Sequence, residues 1–151
     1  MTPTGGSKMN RATWLTIALL GLGLALAGCG NQIASAAESP SRLEPVQGSN
    51  VQRVILTPDA VRRIGLQTAP VQQVPGAANT VPLAAVIYLK DGTTWVYTVA
   101  GTRTYVRQQV TIAQAAGDTA MLKSGPPPGT TVVTTGAAEL LGSEYGVAGG
   151  Q

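Results

Sequence analysis

Histidine is absent from this chain of 151 residues, and cysteine occurs once, at Cys29. Without imidazole, neither a Ser-His-Asp triad nor a histidine-ligated metal site can be assembled. Without a second thiol there is no intramolecular disulfide, so an exported fold of this chain rests on packing alone. The seven carboxylates are spread singly, and no spacing among them proposes an acid and base pair. No phosphate-binding loop is present either: "GLGLALAG", residues 21–28, carries glycines but fails the G-x-G-x-x-G spacing. The expectation is a protein that is not an enzyme and that uses no metal and no cofactor. Positive charge is thin as well. Once Lys8 and Arg11 near the start are set aside, eight basic residues face seven acidic ones, and Arg62-Arg63 is the one adjacent arginine pair. That pair reads as the solvated face of a short helix, and nucleic-acid binding is not expected.

What is present begins with an apolar run. Trp14 to Ala27 carries no charge and follows Lys8 and Arg11. At 14 residues it falls short of the roughly 20 needed to span a bilayer. A basic start, a short Leu- and Ala-rich stretch and small residues at its end describe a secretory signal. The end reads Leu26-Ala27-Gly28-Cys29, which resembles the bacterial lipoprotein signal position for position. Small Ala27 and Gly28 let a peptidase approach the backbone, and the Cys29 thiolate is the nucleophile that a diacylglyceryl group would alkylate. The resemblance implies cleavage between Gly28 and Cys29 and a covalent lipid on Cys29. One acyl chain binds membranes only marginally, so durable anchoring takes the several chains that this modification supplies. A plain signal peptide and an uncleaved helical anchor are the alternatives. Residues 1–28 are thus expected as a lipoprotein signal peptide. Residues 29–50, small and polar without sustained periodicity, are expected as a lipidated flexible tether.

The folded part is expected over residues 51–147, with 148–151 as a loose tail. "VQRVIL" reads as a strand. In "TPDAVRRIG", Thr57 is a helix N-cap, Pro58 takes the first helical position and Gly65 ends the helix. Ala60, Val61 and Ile64 then form its apolar face, with Arg62 and Arg63 outward. "LQTAPVQQV" reads as a second strand that Pro70 demotes to an edge. Beyond "PGAAN", short β-rich runs alternate with turn signals: Ala84 to Leu89, a hairpin at Lys90-Asp91-Gly92, Thr94 to Val99, Thr104 to Ala113, Thr119 to Lys123 and "TTVVTT". A last helical turn is expected at Ala137 to Leu141. The spacing predicts a mainly β fold, a small antiparallel barrel or roll of about six to seven strands with one short helix.

Two blocks carry a resemblance. "VILTPDAVRRIGLQTAPV" is similar to the segment that opens the periplasmic adaptor subunits, or membrane fusion proteins, of tripartite efflux pumps, the HlyD/RND adaptor family. "VPLAAVIYLKDGTTWVYTVAGTRTYVRQQVTI" with "GPPPGTTVVTTGAAELLGSEYGV" is similar to the segment that closes them. Together the blocks cover nearly all of Val51 to Val147. In that family the two segments come together as the membrane-proximal domain, a mostly β module that rests against the pump. Between them a full adaptor carries a β-barrel, a lipoyl domain and a helical hairpin. Here Gln72 to Asn79 joins the blocks directly, so the chain resembles a membrane-proximal domain alone and lacks the parts that form a sealed conduit.

The resemblance implies docking. A lipid-anchored module on the extracytoplasmic face of the bacterial envelope would bind a transporter permease or a full-length adaptor as an accessory transport component. The candidate contacts are Lys90 and Asp91 at the hairpin tip and Arg103 and Arg107 on strand faces; a plain turn and solvated strand faces are the alternative for them. Trp95, Tyr97 and Val99 share one strand parity, with Tyr88 and Tyr105 on neighbouring strands. Core packing accounts for that set, and an aromatic site for a small molecule or a glycan is the competing class. A free-standing ligand-binding lipoprotein and a remnant of a full adaptor without function therefore remain beside the docking reading.

Overall fold

The computed structural model describes residues 39–75 and 78–146. Their framework is ten strands and two helices. These are β1 (Ser41–Pro45), β2 (Gln52–Leu56), α1 (Pro58–Ile64), β3 (Gln67–Pro70), β4 (Gln72–Gln73), β5 (Asn79–Pro82), β6 (Ile87–Tyr88), β7 (Thr94–Gly101), β8 (Thr104–Ala116), β9 (Thr119–Ser124), β10 (Thr131–Thr135) and α2 (Ala137–Glu144). Seven strands follow one antiparallel path, β3-β10-β7-β8-β9-β5-β4. The two ends of that path are consecutive in the chain, separated only by Val71. The Val71 amide donates to the Thr130 carbonyl at 2.8 Å, and its carbonyl accepts from the Gly129 amide at 2.9 Å. Gln67–Gln73 therefore changes partner in mid-course, from β10 to β5, and the sheet becomes a nearly closed antiparallel barrel. The mainly β barrel expected from turn spacing is the observed fold.

Alternation along the strands builds two cores, one on each face of β7 and β8. Val96 and Val110 join Val71, Val81, Ala85, Ala120, Leu122 and Val132 in the first. Tyr97 and Tyr105, of opposite parity, join Val54, Leu56, Ala60, Val133, Ala137 and Leu140 in the second, which the two helices cover. β8 serves both layers by bending: its first half pairs β2 and β7, its second half pairs β9, and the register shifts near Ile112. Helix α1 has the expected signals. The Thr57 hydroxyl accepts from the Ala60 amide at 3.2 Å, and Gly65 closes the helix in the left-handed region. Arg62 and Arg63 are exposed, Arg62 in an ion pair with Asp59.

Three expectations need correction. The tether was expected through Asn50, with the fold opening at Val51, yet Ser41–Pro45 is strand β1, paired along its length with β2. Leu43 packs against the helix-covered core, while Glu44 bridges Arg42 at 2.7 Å and Arg53 at 3.4 Å. The expected strand from Ala84 opens instead as a 3-10 turn over Leu83–Ala85, closed by the Val86 amide on the Leu83 carbonyl, because no β-branched residue holds Leu-Ala-Ala extended. The last helical turn runs on to Glu144, so the described residues hold two helices where one short helix and a single turn are expected. The signal peptide, with Gly28 and Cys29, and the tail 148–151 lie outside the described residues. Among the described residues, no helix is long and apolar enough to cross a membrane.

Candidate functional groove and its buried ion pair

Helix α2 places Ala137, Leu140, Leu141 and Glu144 at i, i+3, i+4 and i+7, one face of a helix. Three are apolar and seat the helix on the barrel; the fourth is a carboxylate that enters the core with them, 6% exposed. A charge there requires partners, and Glu144 has three. Its Oε1 accepts from Arg107 Nη2 at 3.1 Å and from the Gln52 amide at 3.2 Å. Its Oε2 accepts from the Tyr97 hydroxyl at 2.5 Å. Burial of the Tyr97 phenol, reinforced by Glu144 beside it, pushes its pKa far above the ordinary tyrosine value.

Arg107 overturns one sequence expectation. It was placed on a solvated strand face, yet it is 8% exposed. Its guanidinium carbon sits 4.4 Å from the Trp95 ring centroid and 5.6 Å from that of Tyr145. Nη1 donates to the Tyr145 hydroxyl at 3.4 Å, while Nε has no hydrogen-bond partner among the described residues. Arg107 is therefore a structural cation that fastens α2 to the barrel, not a surface contact.

The β6–β7 hairpin stands beside this lock. The Leu89 amide donates to the Thr93 carbonyl at 2.9 Å, and the Gly92 amide returns to the Leu89 carbonyl at 3.0 Å. Gly92, at φ +80°, supplies the left-handed step of the turn. Asp91 Oδ1 accepts from both the Thr93 amide at 2.9 Å and its hydroxyl at 2.6 Å. These bonds hold its carboxyl below the usual carboxylate range. Trp95 Nε1 donates to the Thr93 hydroxyl at 2.7 Å, so the tip is tied back to the Arg107 platform. Asp91 is thereby committed to the turn, and Lys90 is exposed next to it.

Between the hairpin and α2 lies an open groove of about 660 Å³, lined by Tyr88, Leu89, Lys90, Asp91, Leu141 and Tyr145. Tyr88 is 63% exposed and Tyr145 60%. Of the four contacts expected from sequence, Lys90 and Asp91 border this groove, and Arg107 lies behind Tyr145. Arg103 is elsewhere, exposed at the β7–β8 turn, where its φ of 51° and its Nε bond to the Leu56 carbonyl at 3.3 Å give it a turn-forming role. The parity set divides: Tyr97 and Tyr105 belong to the core, Trp95 is half-buried under Arg107, and Val99 is exposed. Glu144, Leu141 and Tyr145 escaped sequence reasoning. The available signal was Glu144 itself, a carboxylate on the apolar face of a helix, which calls for a buried cation. A smaller hollow of about 290 Å³ opens beside Pro70, Gln72, Pro82 and Asp118.

Among the described residues, no three histidine, cysteine, aspartate or glutamate side chains gather in a way that could hold a metal ion. Comparison with known protein families, curated proteins and solved structures finds no match.

Proposed function

We propose that this chain is a lipid-anchored docking module of the bacterial cell envelope. Cys29 carries the lipid, the barrel stands on the extracytoplasmic side, and it binds a transporter permease or a full-length efflux adaptor as an accessory transport component. The observation that supports this reading most is how the two adaptor-like blocks interlock. Most of β2, with α1 and β3, comes from the first block; β6, β7, most of β8, β10 and α2 come from the second; and the seam between β10 and β5 starts in the first block at Gln67–Val71 and runs on through Gln72–Gln73 of the joining stretch. The two segments thus build one β module with no inserted domain between them, as the membrane-proximal resemblance implies. The module acts by binding, and two carboxylates are consistent with that: Asp91 of the groove is engaged by Thr93, and the buried Glu144 by Arg107, Tyr97 and Gln52.

The test is affinity capture from cross-linked native membranes, with partners identified by mass spectrometry and a Cys29→Ser chain as the unanchored control. Recovery of a transporter permease or adaptor with the wild-type chain, reduced in the control, is the expected result. Recovery of the lipidated, folded protein alone overturns it. The exposure of Tyr88 and Tyr145 on the groove favours one second reading, a free-standing lipoprotein that binds a glycan or hydrophobic small molecule. Binding isotherms with such ligands separate the two.

A further inference from the structure

Antiparallel pairs alternate between residues that exchange backbone hydrogen bonds and residues that do not. In the β6–β7 hairpin the Leu89 amide bonds Thr93, and the register continues as Tyr88 opposite Thr94 and Ile87 opposite Trp95. Leu89 and Ile87 therefore turn their backbone groups toward β7. The N–H and C=O of Tyr88 turn the other way, to an edge that pairs with no strand among the described residues. Tyr88 is also a groove-lining residue, and across from it stand Leu141 of α2 and Tyr145, which caps that helix. Another edge strand among the described residues is guarded: β1 follows Pro40, ends at Pro45 and carries Arg42 and Glu44. β6, Ile87–Tyr88, carries neither a proline nor a charge. Its neighbouring charges differ in availability, since Asp91 is held by Thr93 while Lys90 is exposed and makes no ion pair among the described residues.

We infer that the groove takes an extended segment of a partner protein, which adds as a strand to the free edge of β6, lays apolar side chains against Leu141 and Tyr145, and presents a carboxylate to Lys90. Main-chain bonds at Tyr88 set the strand's register, the groove selects alternate apolar residues, and the ammonium of Lys90 selects the acidic one. This deepens the docking reading above and rests on it by naming the surface and the chemistry of the docked segment.

The probe is a nine-residue synthetic peptide of alternating valine and threonine with one central glutamate, titrated into the full chain in detergent micelles. It is compared with a lysine-centred peptide and with one whose valines are N-methylated and cannot pair. Amide exchange by NMR should show Tyr88 unprotected in the free protein and slowed by at least about tenfold with the glutamate peptide. The N-methylated peptide should leave it unchanged. Lys90→Glu should reverse the preference between the glutamate and lysine peptides. Tyr88→Pro removes the outward N–H together with the phenol, and Tyr88→Phe keeps that N–H; the first should lose binding of the glutamate peptide and the second retain it, with pairing to β7 kept in both.

A Tyr88 amide already protected in the free protein overturns the inference, as does equal binding of the N-methylated peptide or no binding at about 1 mM, the weak end of specific recognition. Membrane capture separates this from the parent reading. If Lys90→Glu and Tyr88→Pro, folded by near-ultraviolet circular dichroism, recover the same permease or adaptor as wild type, docking stands and the β6 edge is not its surface. If they lose that partner, the edge is its surface.

Discussion

Glu144 and Arg107 show how one buried charge is made tolerable by another. The carboxylate is nearly sealed, yet each oxygen has a donor from a different element: β8 through Arg107, β7 through Tyr97 and β2 through Gln52. Removing one partner strands the rest, so Glu144→Ala should lower unfolding free energy by about 3–5 kcal/mol in urea melts at neutral pH. Glu144→Gln keeps the acceptor oxygen and the volume and should cost clearly less. Tyr97 gives the lock a pH signature. Its folded pKa is raised, chiefly by burial and then by Glu144, and that of Tyr105 is raised by burial. Below the unfolded tyrosine value of about 10 both states keep the proton, and stability does not depend on these groups. Above it the unfolded chain releases protons that the folded one retains, so stability falls as pH rises. Thermal melts should be flat in this respect up to about pH 10 and decline beyond. Tyr97→Phe should flatten that alkaline decline.

At the level of elements, the joint between β10 and α2 is a turn constrained in two ways. Gly136 caps the helix at φ +93°, and a Cβ there would lie 3.3 Å from Ile64 Cδ1 of α1. Gly136→Ala should therefore cost about 1–3 kcal/mol, combining a left-handed backbone with crowding, whereas Thr57→Ala at the α1 cap should cost about 1 kcal/mol; urea denaturation of both variants measures the contrast. The legible parts of this fold were the local ones. Thr57, Pro58 and Gly65 announce α1, and Asp91-Gly92 announces the hairpin, because each signal acts within a few residues. β1 was missed because Leu43 is its one inward apolar residue and prolines flank it, a pattern that reads as a polar linker. Arg107 was misplaced for a related reason: a charged residue in an alternating strand reads as outward unless its partner is known, and Glu144 lies far along the chain. The groove was only half legible, since Lys90 and Asp91 belong to a visible turn while Leu141 and Tyr145 arrive through tertiary packing.

For the whole molecule, closure of the barrel depends on one short stretch. Val71, 2% exposed, sits where Gln67–Gln73 passes from β10 to β5, and it contributes both a backbone clamp and a side chain to the barrel interior. Val71→Ala retains the clamp but removes two buried carbons, with an expected cost of about 2–3 kcal/mol in unfolding free energy. Because β3 and β4 hold the two ends of the path, amide exchange in this variant should quicken in both β10 and β5, although the two strands are not each other's neighbours. The same seam orders events in time. The stretch is made early by the ribosome, and β5 follows soon after, but β10 comes only when most of the described chain has been synthesised. Half of the seam therefore waits with its Gln67–Pro70 backbone unpaired while Thr131–Thr135 is still to come. Such a sequence-distant pairing is slow to form, and until it does, the nascent chain carries an open strand in need of protection.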